Sequence, residues 1–277
     1  MNWMQIIILI LLLGSVGVGI YYYDSIPEQM VTHWNAAGEA DGYMEKDIGL
    51  FLMPAAMVVL LFFFYLIPHI DPLKENIKKF DRYYEGFIFI FMFFLAYIHF
   101  LSVAWNLGYA FEINRLTAPA LGILFIYLGM LCGKSKQNWF IGIRTPWTLS
   151  SERVWERTHN IAKDLFMGIG ALWIIVGLLV PAYIVYLVGL LIVAALLLFV
   201  DSYFEYKKEL AGVGTPKKAV EAAPLKTKVG KRAAARKAMK KKAVKPKKKP
   251  VKKAAPKKAT AAEKKAVKPK KTSKKKK

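Results

Sequence analysis

The fold is decided by one apolar stretch, residues 165–200, which reads LFMGIGALWIIVGLLVPAYIVYLVGLLIVAALLLFV and contains no charged residue. As a single helix it would be roughly 54 Å long, whereas the hydrocarbon core of a bilayer is about 30 Å thick. Pro181 lies near its middle, where a proline removes a backbone donor and favours a break. The stretch therefore predicts two membrane spans, 165–180 and 182–200, joined by a tight turn.

Four earlier apolar runs, at 3–23, 48–70, 86–108 and 116–133, also have the length that crosses a membrane. The first has no basic residue before it and no well-placed cleavage site, so we expect it to be retained rather than removed as a signal peptide. The sequence thus predicts an all-α polytopic membrane protein with six transmembrane helices in residues 1–206. Small residues four apart, such as Ala118 and Gly122, predict close helix packing.

The C-terminal segment 207–277 has a different composition from the rest of the chain. It holds 30 of the 42 basic residues, three of the 19 acidic residues and no aromatic residue. Such a segment has almost nothing to bury, so we expect a disordered Lys-rich tail. Its charge favours anionic lipid or the phosphates of nucleic acid as partners, and a tail without a specific partner is a further alternative.

The basic residues also predict the orientation of the spans. The loops 71–85 and 134–164 hold four and six of them, whereas the loops 24–47 and 109–115 hold one each. Basic loops stay in the cytoplasm, which predicts that both termini are cytoplasmic. We call residues 24–47 the outer loop and residues 134–164 the inner loop.

The outer loop contains turn-forming steps and one histidine, His33, among the acids Glu28, Glu39 and Asp41. Three or four converging ligands would be needed for a metal, and no recognised ligand spacing is present. A hydrogen-bonded cap over the bundle is the favoured interpretation. The chain has one cysteine, Cys132, which excludes an intramolecular disulfide and a Cys-rich zinc site.

The first half of the inner loop holds three aromatic residues, Trp139, Phe140 and Trp147, near Arg144. Its second half has helical periodicity, with Ser150 as the expected N-cap. Two interpretations remain open. One is an interfacial helix with Arg144 paired to lipid phosphate, which the residues alone favour, and the other is a cytoplasmic docking or gating element.

Two polar residues fall inside the third span, His99 and, two turns further on the same face, Asn106. Polar groups in lipid are costly, so we expect them to point into the bundle. An interhelical hydrogen bond is the favoured interpretation, and a proton or substrate path is the alternative. The sequence contains no recognised catalytic motif, so we expect no enzymatic activity, no catalytic residue and no cofactor.

The two loops together carry a family resemblance. The segment from Pro27 that includes HWNAAGEADGY resembles a short N-terminal domain of unknown function found in many prokaryotic membrane proteins. The segment NWFIGIRTPWTLSSERVWERTH, residues 138–159, resembles the signature of the SdpI-type integral membrane immunity protein family. Both occur in the family's order, and the resemblance covers roughly residues 1–200.

The resemblance implies a protein of the prokaryotic plasma membrane that acts in immunity to a membrane-active peptide or in membrane signalling. It implies an external peptide and a cytoplasmic regulator as partners besides the lipid bilayer. The binding or signalling residues that it implies are His33, Asn35, Gly38, Asp41 and Gly42 in the outer loop and Asn138, Gly142, Arg144, Thr145, Pro146, Trp147, Trp155 and His159 in the inner loop. The tail lies outside the resemblance.

Two other functions remain as alternatives. The basic tail would suit a membrane tether that binds nucleic acid non-specifically through phosphates. The face of the third span that carries His99 and Asn106 would suit a channel or transporter.

Overall fold

A computed structural model describes residues 2–212, and residues 213–277 lie outside it. In the described chain, helices and strands follow one another as α1 (Trp3–Tyr21), β1 (Gln29–Trp34), β2 (Ala40–Glu45), α2 (Lys46–Ile70), α3 (Lys74–Ile77), α4 (Asp81–Asn106), α5 (Ile113–Lys134), α6 (Pro146–Ser150), α7 (Glu152–Leu179) and α8 (Ile184–Leu210). Two short 3-10 turns, Tyr23–Ser25 and Pro181–Tyr183, complete the order.

The prediction of six membrane spans is confirmed, because α1, α2, α4, α5, α7 and α8 are long and apolar enough to cross a bilayer. The predicted break at Pro181 is also present, since α7 ends at Leu179 and a 3-10 turn leads into α8. The prediction of a disordered tail falls mostly on residues 213–277 and so lies outside the described residues. Its predicted start at residue 207 is too early, because α8 continues to Leu210, with Lys207 and Lys208 in a last turn whose dipole favours cations.

The helix of the inner loop differs from the prediction in two ways. Its N-cap is Ser151 rather than Ser150: the Ser151 side chain accepts a hydrogen bond from the Val154 N–H, and Ser150 is the last residue of α6. The helix also continues into the fifth span without interruption, so the predicted start of that span at residue 165 is not a helix boundary. No proline or capping residue interrupts the helical pattern at Asp164, which explains the continuity.

The outer loop folds into a β-hairpin that the sequence analysis did not predict. Strands β1 and β2 pair antiparallel, and the pairing is irregular around His33, which lies opposite Gly42. The turn is closed by Asn35, whose side-chain oxygen accepts hydrogen bonds from the Ala37 and Glu39 N–H groups at 2.9 and 3.0 Å. Met30 of β1 is fully buried against the bundle, so the hairpin is a packed cap.

Small residues bring α5 and α7 into backbone contact. A Cβ atom added to Gly122 would lie 2.5 Å from the Gly170 carbonyl oxygen, and one added to Gly170 would lie 2.5 Å from the Gly122 carbonyl oxygen. Nearer the inner loop, Gly129 faces the Lys163 carbonyl oxygen in the same way. This is the close approach that the spacing of Ala118 and Gly122 predicts.

The inner loop and both ends of the described chain lie at the same end of the bundle. The Asn2 side chain near the start of α1 donates to Glu85 in the first turns of α4 at 2.9 Å. At the other terminus of the described chain, Ser151 before α7 donates to Glu209 near the end of α8 at 2.6 Å. The hairpin lies at the opposite end, and the assignment of this end to the cell exterior is a prediction from the charge of the loops.

Candidate functional site

The hairpin is held to the bundle by Asn106, the last residue of α4. Its side-chain oxygen accepts a hydrogen bond from the Val31 N–H at 2.8 Å, and its side-chain nitrogen donates to the Val31 carbonyl at 2.9 Å. One amide side chain thereby satisfies both backbone groups of a strand residue, as a neighbouring strand would. Asn106 therefore fixes the position of β1 on the bundle.

Replacing Asn106 by leucine should lower the free energy of unfolding by about 1–3 kcal/mol, because the partly buried Val31 N–H loses its acceptor and the Val31 carbonyl keeps only the longer contact with the Ser102 hydroxyl. We expect the amide proton of Val31 to exchange at least about tenfold faster, as measured by hydrogen–deuterium exchange in detergent. Ser102→Ala is the matched control, because its hydroxyl is 3.4 Å from the same Val31 oxygen. Equal exchange in the two variants would contradict this role of Asn106.

The outer-loop residues implied by the resemblance all belong to the hairpin. His33 Nδ1 lies 2.5 Å from an Asp41 carboxylate oxygen, and both side chains are largely exposed. Gly38 has a φ angle of +85° in the turn, and Gly42 faces the His33 side chain, which a Cβ atom would meet at 2.7 Å. No group of three metal-ligating side chains occurs within residues 2–212. These residues therefore shape one exposed face with an imidazole and a carboxylate on it.

One hydrogen bond lies at the base of the outer loop, and one ion pair lies in the loop 71–85. The Tyr23 hydroxyl donates a hydrogen bond to the Asp47 carboxylate, which raises the pKa of Tyr23 above its ordinary value. At the other end of the bundle, the Lys78 ammonium group lies 2.9 Å from a carboxylate oxygen of Glu75 and lowers the pKa of that carboxyl group. Both pairs are exposed, so we assign them local roles only.

Asn138 folds the first part of the inner loop into a compact turn. Its side-chain oxygen accepts hydrogen bonds from the Phe140 and Ile141 N–H groups at 2.9 and 2.6 Å. Its side-chain nitrogen donates to the Lys136 and Ile141 carbonyls at 2.8 and 2.9 Å. The side chain is fully buried and its hydrogen-bonding capacity is used, so its role in the described chain is to shape the loop.

His159 of α7 holds the next part of the inner loop. Its Nε2 accepts a hydrogen bond from the Ile143 N–H at 2.9 Å, and its Nδ1 lies 2.8 Å from the Trp155 carbonyl. These partners assign the hydrogen to Nδ1 and require a neutral imidazole. The Trp155 ring stacks on the imidazole with centroids 4.0 Å apart, and Gly142 passes over the imidazole with a φ angle of +113°.

Thr145 joins the inner loop to α8. It is the N-cap of α6, forms a capping box with Thr148, and its hydroxyl lies 3.0 Å from that of Ser202 in α8. Pro146 then occupies the first position of α6, where its missing N–H costs nothing. The Trp147 ring packs edge-on against Phe199 and Tyr203 of α8, each with centroids 5.1 Å apart. Most of the predicted inner-loop residues therefore hold the loop in its conformation through contacts within the protein.

Arg144 is different, because it points to the exposed side of the inner loop. One of its guanidinium nitrogens donates to the Trp139 carbonyl at 2.9 Å, and it forms no ion pair within the described residues. Beside it, the Trp139 side chain is 51% exposed and that of Phe140 is 37% exposed. We call Trp139, Phe140 and Arg144 the exposed triad.

Sequence reasoning missed two buried acids near the inner loop. The carboxylate of Asp71, after α2, accepts hydrogen bonds from the Leu73 and Trp139 N–H groups at 2.6 and 2.8 Å. Glu205 of α8 is 3% exposed and lies 2.7 Å from Lys208 and 3.2 Å from Arg157. The available signal was an acid directly after an apolar run for Asp71 and one of several acids beyond such a run for Glu205, and neither signal identifies the partner.

His99 and Asn106 have separate partners, although both lie on α4. His99 is buried, and its Nε2 lies 3.1 Å from the Ser15 carbonyl of α1. Asn106 binds Val31 of the hairpin and the Ser102 carbonyl of its own helix. The contact of His99 with α1 agrees with the predicted interhelical hydrogen bond, and transport through this face stays an untested alternative.

Comparisons with known proteins support the resemblance seen in the two loops. The SdpI/YfhL protein family matches residues 134–201, and the domain of unknown function DUF1648 matches residues 10–58. The immunity protein SdpI of Bacillus subtilis (strain 168) is 27% identical over 208 residues, which cover 75% of this chain and 98% of that protein. No solved structure matches the chain. The two matches lie in the order predicted from the two loops, and the resemblance to the SdpI-type family is confirmed.

Proposed function

We propose that this chain is a non-enzymatic membrane immunity protein in which the outer loop meets an external membrane-active peptide and the inner loop responds or docks a cytoplasmic regulator. Similarity to an immunity protein supports the membrane immunity role. The assignment of peptide binding to the outer loop and of the response to the inner loop is our own proposal. The observation that carries it is the exposed triad, which a buried framework presents at one end of the bundle.

The buried contacts of the inner loop support the proposal. Most of the inner-loop residues that the resemblance implies hold this loop in one conformation. Asn138 and His159 bind loop backbone groups, and Thr145 joins the loop to α8. A surface that is fixed before its partner arrives loses less conformational entropy on binding. Arginine and tryptophan are also the residues that most often dominate binding at interfaces.

The outer loop has the charge expected of a surface that attracts a cationic peptide. It holds six acidic residues and one basic residue, Lys46. Lys46 already pairs with Glu28 at 2.8 Å, so the remaining acids set the local potential. The exposed pair of His33 and Asp41 lies on the same hairpin and offers a polar contact for such a ligand.

Replacing Arg144 by alanine should abolish protection without lowering the amount of protein in the membrane, because the arginine lies on the exposed side of the inner loop. The assay is growth of a B. subtilis 168 strain that lacks its own SdpI, in spent medium of the parent strain, with this chain expressed. Arg82→Ala is the matched control, since Arg82 is an exposed arginine at the same end of the bundle. Full protection by the Arg144 variant, or no protection by the unaltered chain, would contradict the proposal.

The tether alternative rests on the charge of the tail, which holds 30 basic and three acidic residues from 207 onward. Its binding to nucleic acid or anionic lipid stays a prediction. The same growth assay separates the two functions, because a chain that ends at residue 212 keeps every described residue. Protection by that shortened chain favours the bundle as the working part, and loss of protection favours the tail.

A further inference from the structure

A cavity of about 170 Å³ lies beside the inner loop, between α2, α4 and α5. Its walls are mainly apolar, and Phe140 and Gly142 of the inner loop form part of its rim; the other principal lining residues are Phe64, Ile67, Phe87 and Leu131. α2, α4 and α5 are membrane spans, so the cavity lies near the level where the inner-loop end of the bundle meets the membrane surface.

The polar side chains around this cavity already have partners. The Tyr84 hydroxyl donates to the Phe64 carbonyl at 2.8 Å, and the Ser135 hydroxyl donates to the Cys132 carbonyl at 2.9 Å. A cavity whose walls are mainly apolar and whose two hydroxyl groups are already hydrogen-bonded favours an apolar occupant over water. Hydrocarbon is the apolar material that surrounds a membrane span.

The exposed triad places a cation beside this apolar cavity. Phe140 lines the cavity, and its neighbour Trp139 accepts the hydrogen bond from Arg144 through its carbonyl oxygen. Asp71, a buried acid that binds the Trp139 backbone, has its two carboxylate oxygens engaged by backbone N–H groups. A guanidinium group without an ion pair, next to an exposed indole, is suited to a phosphate at the level of the lipid headgroups.

We propose that the exposed triad and the cavity together bind one anionic phospholipid, with its phosphate on Arg144 and part of one acyl chain in the cavity. Apolar walls recognise the chain, and the charge of Arg144 favours an anionic over a zwitterionic headgroup. The lipid site uses the same exposed triad as the proposed docking surface, but its binding test needs neither peptide nor regulator, so the outcome of that test and that of the protection assay are separate. The phospholipid then stays bound beside the inner loop as part of the folded protein.

The test measures tryptophan quenching in nanodiscs that contain the full-length chain. The discs consist of phosphatidylcholine with a minor fraction of brominated lipid, either phosphatidylglycerol or phosphatidylcholine. We expect brominated phosphatidylglycerol to quench tryptophan fluorescence more strongly than brominated phosphatidylcholine does, and we call this difference the excess. Trp139→Phe should remove most of the excess, because it removes the tryptophan beside the site. Arg144→Ala should at least halve the excess, whereas Arg144→Lys, which retains the charge, should keep more of it.

Arg82→Ala controls for the loss of one positive charge at the same end of the bundle and should keep the full excess. The tail is present in every variant, so its general attraction for anionic lipid is common to all. Equal quenching by the two brominated lipids in the unaltered chain would overturn the proposal. The same loss of excess in the Arg82 and Arg144 variants would also overturn it, because the effect would then follow net charge rather than position.

Discussion

Replacing Gly142 by alanine should disrupt the inner loop and lower the free energy of unfolding by about 2–5 kcal/mol. Gly142 has a φ angle of +113°, where an alanine costs roughly 1–2 kcal/mol. The added Cβ atom would lie 2.3 Å from His159 Nε2, so the imidazole must move away from the Ile143 N–H. A buried N–H that loses its acceptor costs a further 1–3 kcal/mol or so.

Gly108→Ala separates the two contributions. Gly108 also has a positive φ angle, +89°, but an added Cβ atom there would have no neighbour within 4 Å. The Gly108 variant should therefore lose only the conformational part, about 1–2 kcal/mol. Unfolding by denaturing detergent, followed through tryptophan fluorescence, measures both variants. If they lose equal stability, the hydrogen bond between the Ile143 N–H and His159 does not hold the loop.

Replacing Gly170 by alanine should destabilise the bundle by about 1–3 kcal/mol, because extra volume must fit between two backbones already in contact. The new methyl group would meet the Gly122 carbonyl oxygen at 2.5 Å, and the Ile126 N–H nitrogen at 2.8 Å, both in α5. Backbone atoms of a neighbouring helix cannot turn aside as a side chain can. The helices α5 and α7 must therefore separate.

Gly168→Ala should have the opposite effect. Gly168 lies two residues earlier in α7, and an added Cβ atom there would have no neighbour within 4 Å. The substitution should stabilise the chain by up to about 1 kcal/mol, because alanine favours helix over glycine. The two variants have the same composition and the same helix, so the sign of the change in unfolding free energy is the measurement. Destabilisation by both would show that packing against α5 does not distinguish the positions.

The six spans could be predicted from the sequence because their signal is local. An uncharged run of sufficient length and a proline at position 181 determine where helices cross and where they break. The start of α7 could not be placed so well, since the polar segment before residue 165 is helical too and only its cap, Ser151, marks the beginning.

The hydrogen bonds that hold the two loops in place could not be predicted, because each joins residues far apart in the sequence. Asp71 binds the Trp139 backbone across 68 positions, and Asn106 binds Val31 across 75. Composition does not reveal which distant backbone group a polar side chain will meet. The resemblance indicated that the inner loop carries functional residues. Only the structure distinguishes the buried residues that hold the loop in its conformation, such as Asn138, from the exposed Arg144.

The contact between Asn106 and Val31 also bears on how the hairpin can recruit another chain. A two-stranded sheet has two open edges, and an extended peptide can bind to such an edge by adding a strand. At Val31 both outward backbone groups of β1 are already occupied by the Asn106 amide. Strand addition at this edge would first have to displace Asn106, whereas an extended ligand that added a strand to β2 would leave the Asn106 contact in place.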